Sequence, residues 1–302
     1  MEANLLAPQF TDENKAREYL EQMRWSNGIV CPHCGSNEAY RLEGKADSKS
    51  PVRKGVLKCK ACREQFTVTV GTIFEDSHIR LNKWLLAIYL LCSSKKGMSA
   101  HQLHRSLGIS YKSAWFMAHR IRYAMTQPPL VDKLQGIVEA DETYIGGKAH
   151  GKRGRGAENK VPVFALVERG GRVRPFKTPA VTAKNLREKI RENVDKKATV
   201  MTDEFLAYKG LSAEYEHHTV NHSIGEYVNG NAHTNTAEGF FSNLKRGING
   251  VYHHVSEQYL DSYLSEFAFR YDNRKVDDVA RATMAVKGTQ GKRLILKEPC
   301  GN

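Results

Sequence analysis

His233-Thr-Asn-Thr-Ala-Glu-Gly-Phe-Phe-Ser-Asn-Leu-Lys-Arg246 has the pattern of one helix with two faces of opposite character. Its apolar residues recur at helical spacing and form a stripe that a core can bury, namely Ala237, Phe240, Phe241 and Leu244. A polar strip runs along the other side, through Asn235, Glu238, Ser242 and Lys245. On an isolated helix such a strip is usually a solvated surface. A carboxylate two turns from a lysine also suits a metal ligand beside a phosphate contact, so the rest of the chain must decide.

Composition points to a polyanionic partner. The chain has 302 residues, with 46 Lys and Arg against 33 Asp and Glu, and a formal net charge of +13. Nucleic acid is the first candidate and an anionic membrane surface the second. No apolar run approaches the roughly 20 residues that span a bilayer. Because the first 20 residues lack the pattern of a secretory signal, we expect a soluble, cytoplasmic protein in a reducing compartment.

Two Cys-x-x-Cys pairs predict a structural zinc site. Cys31 and Cys34 form the first pair, and Cys59 and Cys62 form the second. Four thiolates around one Zn²⁺ would supply the folding free energy that so small a domain cannot obtain from its core. A redox dithiol is the alternative, but a redox site of this kind has one Cys-x-x-Cys pair in a thioredoxin-like context. We therefore predict a zinc ribbon over residues 25–76, preceded by a helix within 1–24.

Residues 77–128 are helical by pattern. Gly108 ends one helix and Ser110 caps the next, which is the arrangement of a helix-turn-helix. In that arrangement the second helix presents Tyr111, Lys112 and Ser113 to a DNA groove. A plain helix pair in an all-α subdomain has the same pattern. Gln127-Pro128-Pro129 is a rigid break and the predicted domain boundary.

Beyond the break the pattern changes to strands. Three strands in a meander (136–145, 161–169 and 173–181) are followed by a helix at 185–194, a strand that ends on Asp203, a strand at 217–223 and the helix quoted above. This is the order of a ribonuclease-H-like α/β domain with a mixed five-stranded sheet. The fold class is therefore α+β and multidomain, with the last domain at 135–278 and a C-terminal tail at 279–302.

In that order three acids converge, namely Asp141, Asp203 and Glu238. Buried acids without a cation would repel one another and protonate, so the cluster predicts two divalent ions that promote phosphodiester chemistry. Taken alone, each of these acids could instead be a helix cap or a surface carboxylate without a catalytic role. Glu139 lies on the same strand face as Asp141, whereas Glu142 and Glu204 should point elsewhere by the period of two.

The motifs VEADETYIGGK, VMTDEFLAYKGL and HTNTAEGFFSNLKRGINGVYHHV, together with the cysteine pairs, resemble the DDE transposases of bacterial insertion sequences, in the ISXO-like subgroup with an N-terminal zinc ribbon. The resemblance runs from about residue 15 to 275. It implies that Asp141, Asp203 and Glu238 are the catalytic acids, that they bind Mg²⁺ or Mn²⁺ as its substitute, and that Lys245 holds the DNA backbone. Asparagine is the third ligand in some members, so Asn235 is a candidate to share the site.

Further residues are candidates for DNA contact. The glycine-rich loop 146–160 carries Lys148, Lys152, Arg153 and Arg155, with a flexible hairpin connection as the alternative. His253 and His254 follow the quoted helix and are either phosphate contacts or structural histidines.

The resemblance implies an enzyme that binds terminal inverted repeats in double-stranded DNA and catalyses cleavage and strand transfer into target DNA. It would act as a homodimer or larger synaptic complex at the bacterial nucleoid, and not at a membrane. The alternatives are a domesticated sequence-specific DNA-binding protein and a ribonuclease-H-like nuclease without strand transfer.

Overall fold

The structure is a computed structural model that describes residues 5–43, 52–126, 132–147, 160–220 and 233–295. The chain divides into two compact units. The first unit comprises Met1–Ser94, Ala100–Met125 and Val276–Asn302, and the second comprises Lys95–Ser99 and Thr126–Lys275. None of the described helices has the length and apolar character needed to cross a membrane.

The first unit combines a small sheet with helices. Its helices are α1 (Pro8–Thr11), α2 (Glu13–Arg24), α3 (Leu81–Ser93), α4 (Ala100–Leu107), α5 (Tyr111–Met125) and, late in the chain, α9 (Asp278–Lys287). Its strands are β1 (Ala39–Arg41), β2 (Leu57–Cys59) and β3 (Gln65–Phe66), which form an antiparallel sheet in the order β1-β2-β3. Four cysteines cluster beside this sheet, which confirms the predicted zinc-ribbon architecture.

Buried contacts link the distant segments of the first unit. Helix α3 is apolar on most of its surface and packs on α9, so part of the segment that we predicted as a tail is helical. Arg120 of α5 is buried and donates to the carbonyls of Ile73 at 2.8 Å and Leu294 at 2.9 Å. A buried guanidinium needs such acceptors, because an unpaired one would cost several kcal/mol, roughly as for other buried charges.

The second unit is built on a five-stranded mixed sheet. Its strands are β4 (Ile137–Gly146), β5 (Lys160–Glu168), β6 (Val173–Lys177), β7 (Thr199–Asp203) and β8 (Glu216–Val220). Their order is β6-β5-β4-β7-β8, antiparallel from β6 to β4 and parallel from β4 to β8. This confirms the predicted mixed sheet. The Gly170-Gly171 turn joins the antiparallel strands β5 and β6. The parallel strands β4 and β7 are separated along the chain by a longer stretch that includes helix α6 (Ala183–Asn193).

Two cores cover the two faces of this sheet. One packs Val138 and Ala140 of β4 against Leu186 and Ile190 of α6. The other packs strand residues such as Ala165 against α7 (Asn235–Gly247) and α8 (Leu260–Asp272). Since side chains alternate along a strand, Glu139 and Asp141 lie on the face that α7 covers. A π-helical turn at Ile248–Tyr252 extends α7.

Candidate active site

Asp141 and Asp203 lie on the neighbouring parallel strands β4 and β7, near the end of the ladder between them. The register pairs Ile137 with Thr199 and Glu139 with Met201. Each acid follows this last pair by two residues on its own strand, so both lie just beyond the end of the ladder. Strand β7 ends at Asp203, where the N–H of Phe205 donates to its Oδ1 at 3.1 Å. The two carboxylates therefore share one edge of the second unit.

The Asp141 carboxyl sits in a strongly electronegative setting. Burial raises the pKa of Asp141 to about 7, and the charges of three carboxylates add to this rise, those of Glu142, Asp203 and Glu238. The backbone N–H of Glu142 acts in the opposite direction and donates to Asp141 Oδ1 at 2.7 Å. Glu238 is therefore close enough to interact electrostatically with Asp141.

Helix α7 carries the third acid in its first turn. Glu238 is exposed, and its Oε1 accepts a hydrogen bond from the Thr234 hydroxyl at 3.3 Å. Asn235, the first residue of the helix, is also exposed. Lys245 is exposed seven residues after Glu238, close to two full turns, so both side chains project from the same side of α7.

The N-terminus of α7 is held by Glu139, a residue for which the sequence indicated only a shared strand face with Asp141. Glu139 is fully buried, and its Oε2 accepts the backbone N–H groups of Thr236 at 2.8 Å and Ala237 at 3.0 Å. Arg169 Nε donates to its Oε1 at 2.6 Å. The sequence showed only an acid two positions before Asp141, because the two N–H groups that Glu139 accepts lie 97 and 98 positions away along the chain.

The period of two predicted that Glu142 and Glu204, which adjoin Asp141 and Asp203, would point away from the other acids. Glu142 Oε2 accepts from the buried hydroxyl of Tyr208 at 2.8 Å. Glu204 is exposed beyond the end of β7.

Asp141, Asp203 and Glu238 provide the kind of oxygen ligands that a divalent-cation site requires. Carboxylate and amide oxygens are the ligands that Mg²⁺ and Mn²⁺ prefer. The raised pKa of Asp141 reflects burial and negative charge that a cation would offset. Within the described part of the chain, only the four cysteines bring three or more ligand atoms within 4.8 Å of one another, so the three acids are more widely spaced than that.

The cysteine cluster fits Zn²⁺ closely. Cys31 Sγ lies 3.7 Å from Cys62 Sγ, and Cys34 Sγ lies 3.6 Å from Cys59 Sγ. A tetrahedron with Zn–S bonds of about 2.3 Å has sulfur–sulfur edges of about 3.8 Å. A hydrogen bond from the backbone N–H of Cys62 lowers the pKa of the Cys59 thiol to about 6, whereas burial and the neighbouring thiols raise the pKa of Cys62 to about 12. A bound Zn²⁺ would favour the thiolate form of all four cysteines.

The predicted recognition residues lie at the start of α5. Gly108, with φ of +57°, makes the turn after α4, and Ser110 Oγ accepts the N–H of Ser113 at 3.1 Å to cap α5. Tyr111 and Lys112 are exposed, and the Tyr111 ring stacks on His101 at 4.3 Å. The first turn of α5 thus presents an aromatic ring and a cation on the surface of the first unit.

The remaining candidates divide into two groups. His253 and His254 are exposed after the π-helical turn, and His253 has φ of +61° in a tight turn closed by His254 N–H to Tyr252 O at 2.7 Å. Such a φ is strained for a residue other than glycine. Lys148, Lys152, Arg153 and Arg155 lie outside the described residues.

Comparisons with known proteins match both units. The ISXO2-like transposase domain matches residues 133–272, and the transposase zinc-ribbon domain matches residues 11–65. A relative from Halobacterium salinarum, described as an uncharacterized protein in transposable element ISH50, is 33% identical over 279 residues, which cover 86% of this chain and 91% of the relative. Among solved structures, a chain from the simian T-cell lymphotropic virus intasome in complex with PP2A regulatory subunit B56 gamma is matched over 60% of this chain and 67% of that chain, with 14% identity and a TM-score of 0.29.

Proposed function

The chain belongs to the ISXO2-like transposase family, and we propose that it cuts DNA at the terminal inverted repeats of its own insertion sequence and joins the ends to target DNA. Beyond family membership, one structural observation supports a catalytic role. Asp141 and Asp203 lie just beyond the ladder between neighbouring parallel strands, and both Asp203 and Glu238 are close enough for their charges to raise the pKa of Asp141. A domesticated binding protein would have no use for such an acidic group.

Each acid then has a role. Asp141, Asp203 and Glu238 would hold two Mg²⁺ ions, with Mn²⁺ as a substitute, and the amide of Asn235, which lies in the same helical turn as Glu238, would share a ligand position. When bound, such ions activate the attacking oxygen and stabilise the oxygen that leaves. The fixed strands β4 and β7 provide the rigid side of the site, and α7 provides the other.

The reaction has two displacements at phosphorus. In the first, water attacks the phosphodiester at the end of the element, the bond to the 3′ oxygen breaks, and that oxygen takes a proton as a 3′-hydroxyl. In the second, this hydroxyl attacks a phosphodiester of target DNA, and a target 3′-hydroxyl leaves. Lys245, exposed two turns after Glu238, would neutralise the phosphate backbone beside the reacting bond.

The first unit would bind the repeats. Zn²⁺ bound by Cys31, Cys34, Cys59 and Cys62 would hold the ribbon together. Tyr111, Lys112 and Ser113 would enter a groove from the start of α5. His253, His254 and the basic residues of the loop, Lys148, Lys152, Arg153 and Arg155, would contact phosphates. Two ends must be held together for joining, so we expect a dimer or larger assembly on DNA at the nucleoid.

The test is strand transfer with purified protein, Mg²⁺ and a labelled duplex from the flanks of its own gene. Asp203→Asn removes a proposed metal ligand. Asp261→Asn is the matched control, because it makes the same charge change at an exposed position of the second unit, 3.9 Å from Lys177. We expect the wild type and the control to nick the repeat end and join it to target DNA, and Asp203→Asn to bind without doing either.

Two other outcomes would replace the proposal. Cleavage without joined product, under conditions in which the ends are paired, would favour the nuclease. Specific binding with no cleavage by any variant in Mg²⁺ or Mn²⁺ would favour the DNA-binding protein.

A further inference from the structure

Glu139 is a fully buried carboxylate beside the proposed catalytic acids, and the two-step reaction above does not use it. Five polar groups surround it. Its Oε1 accepts from Arg169 Nε at 2.6 Å and from the Thr236 hydroxyl at 2.8 Å, and lies 3.2 Å from His233 Nδ1. Its Oε2 accepts the N–H groups of Thr236 and Ala237 at 2.8 and 3.0 Å.

These contacts leave Glu139 unsuited to be a metal ligand. A carboxylate has about four lone-pair positions. Four hydrogen bonds from the protein, two on each oxygen, fill them. Asp141 is different. It lies on the same strand face two residues later, and its Oδ1 accepts the backbone N–H of its neighbour Glu142 at 2.7 Å. The same side of β4 thus carries one acid engaged by the protein and one that faces the other carboxylates.

Glu139 replaces the usual cap of α7. The first N–H groups of a helix have no partner within the helix, and the side chain of the N-cap residue commonly accepts them. Here the N-cap residue, Thr234, makes no such bond. Its hydroxyl instead donates to Glu238 Oε1 at 3.3 Å. The distant carboxylate caps the helix, and the local hydroxyl is left to orient a catalytic acid.

A second link braces the residues just before α7. Arg169, which follows β5, donates through Nη2 to the carbonyl of His233 at 2.9 Å and through Nε to Glu139. One guanidinium therefore ties β4 to the chain that enters the helix. Because the Glu139 carboxylate is fully buried and Arg169 is its partly buried cation, removing the arginine would leave a buried charge uncompensated.

We propose that Glu139 is a positioning residue, which fixes the first turn of α7 to β4 and so keeps Glu238 on the side of the sheet where Asp141 and Asp203 would bind a divalent cation. The inference rests on the proposed function, since it presumes a cation site at these acids. In this proposal Glu139 itself would contact neither cation nor DNA, because protein groups occupy its carboxylate oxygens.

The first readout needs no metal. Glu139→Gln keeps the size of the side chain but removes the charge and turns an N–H₂ group toward other donors. In amide hydrogen exchange we expect the N–H groups of Thr236 and Ala237 to lose protection while the rest of α7 keeps it. Glu266→Gln is the matched control, because Glu266 is also fully buried in the second unit and pairs with Arg270. This control should leave the first turn of α7 protected.

The second readout is Mn²⁺ binding to the full-length protein without DNA, followed by electron paramagnetic resonance. We expect Glu139→Gln to weaken binding roughly tenfold, as when a group that orients a ligand is lost. Glu266→Gln should bind as the wild type does, and Asp203→Ala should abolish binding. Unchanged affinity in Glu139→Gln, with or without faster exchange, overturns the positioning role. Unchanged affinity in Asp203→Ala overturns the cation site and this inference with it.

Thr236→Val keeps the proposal testable if Glu139→Gln fails to fold. It removes one donor to Glu139 Oε1 and leaves the carboxylate and the arginine in place. We expect a smaller loss of Mn²⁺ affinity in the same direction. Wild-type affinity in a folded Thr236→Val, with wild-type exchange at Ala237, would count against the proposal.

Discussion

The Tyr208 hydroxyl donates to Glu142 Oε2 at 2.8 Å, on the face of β4 opposite to Asp141. Tyr208 is almost completely buried in the core that includes Val138 and Ala140. Burial, followed by the charge of Glu142, raises the pKa of Tyr208 well above its usual range, so the phenol stays protonated and donates. The consecutive acids Asp141 and Glu142 thus lie on opposite faces of β4.

The pair should therefore contribute to stability. In a double-mutant cycle of Tyr208→Phe and Glu142→Gln, we expect a coupling free energy of about 1.5–3 kcal/mol, as for hydrogen bonds to charged groups. Urea unfolding of the four proteins measures it. Additive effects of the two substitutions would show that the bond contributes nothing.

Loss of zinc should unfold the ribbon. Cys34→Ser removes one of four ligands, and structural zinc supplies roughly 10–16 kcal/mol in small domains of this kind. We expect bound zinc to fall from one per chain to almost none, with loss of the packing of Trp25 on Phe66 and a change in tryptophan fluorescence. Cys92→Ser is the control, since Cys92 is buried in α3, apart from the cluster, and should leave the zinc content unchanged.

Lys112 should contribute to DNA affinity through phosphate contact. For Lys112→Gln we expect weaker binding to all duplexes and a slope of log affinity against log salt that is smaller in magnitude by about 0.9. Lys15→Gln is a suitable comparison, because Lys15 is exposed in the same unit but pairs with Glu18 at 2.9 Å. Equal slopes for the two variants would exclude a specific phosphate contact at Lys112.

Glu214 should make stability depend on acid pH. Two hydrogen bonds from Arg191, at 2.7 and 2.5 Å, and one from Lys196 lower the pKa of Glu214 to about 2 from an ordinary value of 4.5. A lowered pKa stabilises the folded state fully above pH 4.5, and this stabilisation is lost as the pH falls through about 2. The melting temperatures of wild type and Glu214→Gln should therefore differ near neutrality and converge at low pH. A difference that does not change with pH would contradict this.

Much of the second unit could be predicted because its signals are local. Period-two patterns and the Gly170-Gly171 turn marked the strands, and the order of elements predicted a mixed five-stranded sheet, which the structure confirms. The same period correctly separated Asp141 from Glu142. The pairing of the cysteines by short spacing likewise predicted the cluster that is observed.

Long-range contacts could not be predicted. Glu139 caps a helix that begins 96 positions later along the chain, and nothing near Glu139 in sequence indicates which N–H groups it will meet. The strained turn at His253 could not be predicted from the sequence either, because it depends on how the π-helical turn ends and not on a turn-forming residue. In both cases tertiary packing decides the local conformation.

The return of α9 to the first unit has a consequence for biosynthesis. Helix α3 is complete once residue 93 has left the ribosome and can then pack on α1 and α2, but the helix that it contacts most extensively, α9, begins at residue 278. Until then the part of the apolar surface of α3 that α9 covers lacks its native partner, whereas the sheet and helices of the second unit can assemble as soon as residue 275 has emerged. We expect the second unit to fold first during translation and the first unit to depend on chaperones that shield α3, so a ribosome that stalls before residue 278 would release a chain prone to aggregation.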